Sequence, residues 1–385
     1  MTIDRAMSQL MEVYRNRDRY AVKWKGENNG KVAGYLGSDV PEELLIAAGF
    51  LPVKITGLRD TDTSIGNVYL EKGFNPMIHV QFSRLVDGSY DYLDHLLISN
   101  SSDAVIRVYY YLRALHQRED NVSYPEPFFY DFQHTKYYSS GRYNRDRTYE
   151  LLEQIKSWKG QEIKDKQVIE AIRLCNKTRQ LLQQIDRLRT CEHPRISGTQ
   201  ALQIIGASMV MEKRGFHSYV STILDQSSSL PIHHGVRLFI TGSAHEHTEF
   251  YELVESLGGV IVGEDHEMGA RYYEGLVDEK VDIIDGIVDR YHYRSTPSSQ
   301  STVSERVSSL LQHVSSAQPE GVIFFIYQSD DAPSWDFPEQ KKALDESGIP
   351  VLLLDKQDYR LDDIENTKEK ITAFIESINY KRIKR

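Results

Sequence analysis

The feature that most constrains this chain is a repeated strand–loop–helix grammar in which the strands are short, continuous apolar runs. Val32-Ala33-Gly34-Tyr35-Leu36-Gly37 is followed at once by Ser38-Asp39-Val40-Pro41-Glu42-Glu43-Leu44-Leu45-Ile46-Ala47-Ala48-Gly49. The second piece reads as a helix, with polar cap candidates, Pro41 near the first turn, Glu42 and Glu43 at the positive end of the dipole, and a closing Gly. Leu51 to Thr56 then reads as a strand. The pattern returns with a strand at Leu93 to Ser99, a helix from about Ser102 to His116, and a strand at Pro127 to Phe132. Strands apolar on both faces and separated by helices predict a parallel sheet covered on two sides.

From about Tyr143 to Leu224 the strand signal disappears and successive helices are predicted. The longest runs from Asp165 to Arg189, with Ile169, Ile172, Leu181 and Ile185 along one stripe. Strands resume at Val236 to Gly242, Val260 to Gly263, Gly321 to Tyr327 and Pro350 to Leu354, and a last helix runs from about Ile364 to Asn379. Ser295 to Ser304, rich in Ser, Thr and Gln, reads as an exposed loop leading into a helix. The predicted fold class is therefore α/β. Two lobes with parallel sheets, 1–142 and 231–385, are joined by a helical connector, 143–230.

Composition narrows the function. Lys and Arg number 46 against 56 Asp and Glu, a net charge of -10, and the one basic cluster is Lys381-Arg382-Ile383-Lys384-Arg385. A nucleic-acid ligand is not expected. The apolar runs are strand-length, well short of the roughly 20 residues of a membrane span, and the N-terminus lacks the basic-then-apolar order of a secretion signal. A cytoplasmic protein is expected. Two cysteines, Cys175 and Cys191, both in the helical connector, exclude a disulfide framework and any iron–sulfur cluster held by this chain's thiolates alone. P-loop, Gly-x-Gly-x-x-Gly and Gly-x-Ser-x-Gly motifs are absent.

Ligands of open parallel sheets sit beyond the carboxyl ends of the strands. Four such ends are small or polar and precede helices: Gly37-Ser38-Asp39, Ser99 to Asp103, Thr241 to His245, and Gln328 to Asp331. The same residues serve as ordinary helix caps. His245, His247 and His266 lie near strand ends of one lobe and, with Asp330 and Asp331, offer mixed nitrogen and oxygen donors, although their spacing matches no known metal signature.

The segment from Val32 to Val53 resembles the opening motif of the 2-hydroxyacyl-CoA dehydratase and benzoyl-CoA reductase cluster-subunit family. Ile98-Ser99-Asn100-Ser101-Ser102-Asp103 is similar to that family's strand ending in a Cys-Asp pair. The stretch from Glu320 to Leu353 is similar to its C-terminal block, and Val236 to Gly263 to its second-lobe strand–helix–strand. The resemblance implies two flavodoxin-like, Rossmann-like lobes. It also implies a [4Fe–4S] cluster between them, a like-folded partner subunit, and an ATP-hydrolysing activator that delivers an electron to an acyl-CoA thioester. This sequence departs from the pattern at the ligands. Ser102 and Asp331 stand where two cluster cysteines fall, Asn75 to Met77 hold no third, and Gly37 occupies a position that often carries another.

The resemblance therefore implies a cluster-free subunit of a dehydratase (lyase) or acyl-CoA reductase (oxidoreductase) complex. It would bind no cofactor itself and would pair as a heterodimer with a cysteine-containing paralogue that holds the [4Fe–4S] cluster. The expected substrate-binding residues are Ser38, Glu42, Ser102, Asp103, Ser243, His245 and Asp331, and no catalytic residue is assigned. Asp331, as a carboxylate inside the pocket, is expected to need a hydrogen-bonding or cationic partner. A second class stays open: a stand-alone acyl-thioester binder, or a mononuclear-metal enzyme working through His245, His247 and Asp331.

Overall fold

The computed structural model describes residues 1–119, 121–295 and 298–383; Lys384 and Arg385 of the basic C-terminal cluster, and positions 296 and 297 of the Ser-rich stretch, lie outside the described residues. Helices α1 (Ile3–Arg15) and α2 (Arg17–Asn28) precede the first lobe. That lobe comprises β1 (Val32–Leu36), α3 (Glu42–Ala47), β2 (Leu51–Lys54), α4 (Gly66–Tyr69), α5 (Pro76–Val86), β3 (His95–Ser99), α6 (Asp103–Arg118) and β4 (Pro127–Tyr130). Four helices follow: α7 (Tyr138–Lys159), α8 (Asp165–Thr190), α9 (Gly198–Ser208) and α10 (Lys213–Asp225). The second lobe comprises β5 (Val236–Gly242), α11 (Glu249–Ser256), β6 (Gly259–Glu264), α12 (Ala270–Tyr273), α13 (Ile283–Asp289), α14 (Val303–Ala317), β7 (Gly321–Tyr327), α15 (Asp331–Glu346), β8 (Val351–Gln357) and α16 (Ile364–Ile383). Among the described residues no helix is long and apolar enough to cross a membrane.

Both sheets are parallel and have the same order, β2-β1-β3-β4 in the first lobe and β6-β5-β7-β8 in the second. This is the doubly wound arrangement of flavodoxin-like folds. The register sets Ala33 opposite His95 and Leu97 opposite Phe128 in one lobe, and Ile240 opposite Ile323 in the other. Pro52 and Pro127, which cannot donate to a ladder, stand on the edge strands β2 and β4. The central strands β1 and β7 are buried along their whole length, as continuous apolar runs in a covered sheet must be.

The strands lie where the sequence predicts and end within two residues of the prediction, except β8, which runs on from Leu354 to Gln357. The sequence reading does not mark α1. Its buried residues Ala6, Met7, Leu10 and Tyr14 join α9, α10 and the second sheet in one core. In return, Val277, Ile284, Ile287 and Tyr291 from the second half of the chain pack on the first lobe, among Leu44, Leu97 and Ile172. Each lobe is thus covered in part by sequence from the other half.

Buried ion pairs fix the connector to both lobes. Arg179 of α8 meets Glu43 of α3 at 2.6 Å, and Lys213 of α10 meets Glu42 at 2.7 Å. Arg189 grips Glu264 of β6 through two bonds, one of 2.7 Å. Removing one partner of such a pair strands a buried charge. Arg179→Met is expected to lose about 3–5 kcal/mol in urea unfolding. Adding Glu43→Leu should recover most of the loss, and a double variant no more stable than the single one would contradict this account.

Candidate functional site

In both sheets the chain leaves the two central strands in opposite directions, which opens a crevice at their carboxyl ends. The two crevices face one another and share a cavity of ≈ 530 Å³. Its wall takes Gly37 and Ser38 after β1, Ser101 to Asp103 after β3, Gly242 and Ser243 after β5, and Ser329 to Asp331 after β7. Glycine is required at two of these turns. Gly37 has φ +101°, and a Cβ there would run into the hydroxyls of Ser99 and Ser101. Gly242 has φ +106°, and a Cβ would strike the carbonyl of Phe325 on the neighbouring strand. The wall is completed by the apolar Phe74, Met77 and Ile78 and by Ser298 to Gln300.

The Ser-rich stretch is more than a loop. Ser299 Oγ donates to the carbonyl of Ser101 at 3.0 Å, Gln300 Nε2 donates to Asn100 Oδ1 at 2.8 Å, and Ser298 Oγ meets His134 Nδ1 at 2.9 Å. These bonds bring the segment before α14 across onto the first lobe. Arg306 holds it from behind through the carbonyl of Ser299 at 3.0 Å while gripping Asp336 of α15.

Charge in the wall is arranged in pairs. Lys54, at the end of β2, donates to the Gly37 carbonyl at 2.8 Å and to Glu267 of the other lobe at 3.1 Å. Burial raises the Glu267 carboxyl, but Lys54, aided by the charge of Arg271 and by His266, holds the group below its ordinary range. Asp103 pairs with Arg107 at 2.8 Å on the rim. Ser243 Oγ donates to Asp330 Oδ2 at 2.5 Å and accepts from the Tyr327 N–H at 3.0 Å. Burial pushes Asp330 up to about 6, with Glu267 and Asp331 adding to the effect and the Ser243 bond opposing it. His266 meets the Tyr251 hydroxyl at 2.9 Å, and burial lowers its pKa to about 3, so the ring is neutral.

Of the sequence-derived residues, Ser38, Ser102, Asp103, Ser243 and Asp331 meet at this cavity. Glu42 and His245 do not line it. Glu42 is turned toward α10, where Lys213 and the Tyr272 hydroxyl (2.9 Å) satisfy it. His245 is fully buried, stacked on Phe250 with ring centroids 5.0 Å apart, and neither ring nitrogen has a partner. The turn after β5 drives its side chain into the aromatic core, where burial holds it neutral. His247 points elsewhere, to the carbonyl of Tyr359 at 2.8 Å, so His245, His247 and Asp331 form no ligand set. Among the described residues no group of three or more His, Cys, Asp or Glu is placed to hold a metal ion. The partner expected for Asp331 belongs instead to Asp330. Asp331 is exposed as the first residue of α15, whereas Asp330, one step earlier, turns inward to Ser243. Arg271, Gln81 and Lys54 also line or brace the site. No sequence motif marks them, beyond Arg271 lying shortly after the carboxyl end of β6.

The positions at which the resembling family holds its cluster all reach this wall: Gly37, Asn75 to Met77, Ser102 and Asp331. None carries a thiol: Gly37 has no side chain, Met77 brings a thioether, Asp331 is an exposed carboxylate, and Ser102 and Asn75 are helix caps. Ser102 Oγ accepts from the Val105 N–H at 3.2 Å, and Asn75 Oδ1 accepts from the Ile78 N–H at 3.0 Å. Cys175 is buried in α8 and Cys191 is exposed at its end, and neither lines the cavity. A wall of hydroxyl, amide and carboxylate oxygens does not fit an iron–sulfur cluster, whose iron takes thiolate.

Two flavodoxin-like lobes closing on one inter-lobe cavity define a class of two-lobed α/β proteins that bind at facing strand ends. Residues 38–378 match the family described as 2-hydroxyglutaryl-CoA dehydratase, D-component, and the chain belongs to that family. It is 21% identical to the (R)-phenyllactyl-CoA dehydratase beta subunit of Clostridium sporogenes, over 97% of this chain and 99% of that one. It is 21% identical to the lactoyl-CoA dehydratase subunit beta of Anaerotignum propionicum, over 98% and 99%. With the (R)-2-hydroxyglutaryl-CoA dehydratase subunit beta of Acidaminococcus fermentans the identity is 22%, over 98% and 100%.

The Asp330 geometry generates a pH signature. Its folded pKa of about 6 lies above the ordinary 3.8, so the folded state binds the proton first as pH falls. Stability tied to this group is therefore gained as pH drops from about 6 toward about 4 and is absent above that window. Asp330→Asn keeps an acceptor for Ser243 and removes the ionisation. The variant should be more stable than the parent at pH 7.5 and should lose this part of the pH dependence between pH 4.5 and 7.5, followed by melting temperature. Identical pH slopes for the two proteins would contradict the assignment.

Proposed function

We propose that this chain is a cluster-free subunit of an acyl-CoA dehydratase complex of the 2-hydroxyacyl-CoA type. Its role is to supply one face of a subunit interface and a pocket for the acyl thioester. The observation that supports the reading is the inter-lobe cavity in which no position matching a cluster ligand bears a thiol, while both cysteines lie in the connector. Such a wall orients a polar ligand through Ser38, Ser102 and Ser243 but passes no electron. The redox step then belongs to a like-folded, cysteine-containing partner that holds a [4Fe–4S] cluster and receives its electron from an ATP-dependent activator. The beta-subunit names of the relatives support a multi-subunit assembly. The same architecture serves ring reduction of the benzoyl-CoA reductase type, with the acyl group as the difference. Two free thiols suit a reducing cytoplasm.

Purification from the native host tests the reading. A brown, cysteine-rich paralogue is expected to co-purify, across an interface above about 2,000 Å² in total. This chain alone, reconstituted anaerobically with iron and sulfide, is expected to hold less than one iron. About four irons per chain with broad absorption near roughly 400 nm, or a colourless species that never associates with the paralogue, would overturn the proposal.

A further inference from the structure

Arg271 is the anomaly of the cavity wall. Arg107 and Arg306 beside it are paired with Asp103 and Asp336. Arg271 faces the main cavity and also a side annex of ≈ 70 Å³. Its Nε is buried without a partner, and among the described residues no carboxylate or carbonyl accepts from its guanidinium. Leaving a partly desolvated guanidinium unmatched is costly, because its planar fork is built to bind a carboxylate or phosphate through two bonds.

Two further donors converge on the same place. Helix α15 is 16 residues long, and its N-cap residue Asp330 makes no side-chain cap bond because its carboxylate is engaged by Ser243. Ala332 and Pro333 of its first turn line both the cavity and the annex, as Arg271 does. The positive end of a long helix, without a side-chain acceptor, thus faces the free guanidinium. His266, also in the cavity wall, is 2% exposed, and its Nδ1 has no partner. Nε2 is engaged by the Tyr251 hydroxyl, and in the tautomer in which that hydroxyl donates, Nδ1 carries a third unused N–H.

We propose that Arg271, the N-terminus of α15 and His266 form a receptor for one anionic group, a carboxylate or a phosphate, on the ligand of the inter-lobe cavity. The inference rests on the acyl-thioester reading only for the choice of ligand carrying that group. The wall's own carboxylates leave room for it. Glu267 is held by Lys54, Asp330 is bonded to Ser243, and Asp331 is open to solvent. Asp265 feels the charge of Arg271, but burial still raises it, and neither it nor Glu267 makes a hydrogen bond to the guanidinium. The group has two sources in an acyl-CoA, the terminal carboxylate of a dicarboxylic acyl chain or a phosphate of the CoA.

Titration of the full-length chain separates the sources, read by the fluorescence of Trp335, which is 79% exposed on the cavity rim. The probes are glutaryl-CoA, butyryl-CoA, butyryl-pantetheine, glutarate and inorganic phosphate, at one ionic strength, against the parent, Arg271→Gln and Arg271→Lys. An acyl-carboxylate site predicts glutaryl-CoA binding about tenfold or more tighter than butyryl-CoA. A CoA-phosphate site predicts the same advantage of butyryl-CoA over butyryl-pantetheine. In either case Arg271→Gln abolishes the difference and Arg271→Lys retains part of it. Arg271-dependent binding of glutarate or phosphate without any CoA-ester binding upholds the anion site and defeats the acyl-thioester reading. Unchanged butyryl-CoA and glutaryl-CoA affinities in a folded Arg271→Gln or Arg271→Lys protein uphold that reading and overturn the anion site. No binding of any probe by the parent overturns both.

Discussion

One buried carboxylate gathers the two lobes and the N-terminal helices at a single point. Glu246, just after β5, is fully buried, and its two oxygens collect the Gly57 N–H at 2.7 Å, Gln81 Nε2 at 2.7 Å and the Tyr359 hydroxyl at 2.9 Å. Its carbonyl takes the Tyr14 hydroxyl and Arg17 Nη2, each at 2.9 Å. Donors from the first lobe, the second lobe and the N-terminal helices thus meet on a single residue. Burial raises the Glu246 pKa, and these donors and Arg17 act in the opposite direction. A buried acid is tolerable only when so fully supplied with donors. Together with the Lys54–Glu267 pair and the Ser299–Ser101 bond, Glu246 ties the two lobes across the cavity.

That constraint explains why the chemistry of the wall can change without loss of the fold. The cavity-facing positions lie at helix N-termini, where Ser and Asn supply acceptors that the helices need in any case. Ser102 and Asn75 satisfy the local backbone as caps and offer a metal no thiolate. The packing that defines the lobes lies elsewhere, in the apolar faces of β1, β3, β5 and β7 and the ion pairs of the connector. The residues that hold the lobes together and those that line the cavity are thus largely separate sets.

Much of this was legible in the sequence, because parallel strands buried on both faces write themselves as apolar runs and their helices announce caps. The four strand ends were readable for the same reason. What was not readable depends on direction and distance. Asp330 and Asp331 are adjacent, and only the turn at Ser329, with φ +60°, decides which of them faces Ser243. His245 resembles a strand-end ligand until the fold turns it into an aromatic core. Arg271 looks like any surface arginine, since the absence of an ion-pair partner is a tertiary property. Helix α1 carries an apolar stripe, Ile3, Met7, Leu10, Met11 and Tyr14, that the sequence could have shown, but that this stripe completes the second lobe's core is a tertiary property.

Gly37 shows how firmly the present wall is set. Its left-handed backbone and the hydroxyls of Ser99 and Ser101 occupy the space that any side chain would need. Any side chain at this position would require both serines to retreat and the turn to be rebuilt at the same time. No single substitution there escapes both demands. The turn after β1 therefore works as an interlock, in which the serine hydroxyls and the bare glycine hold one another in place and change has to come in concert.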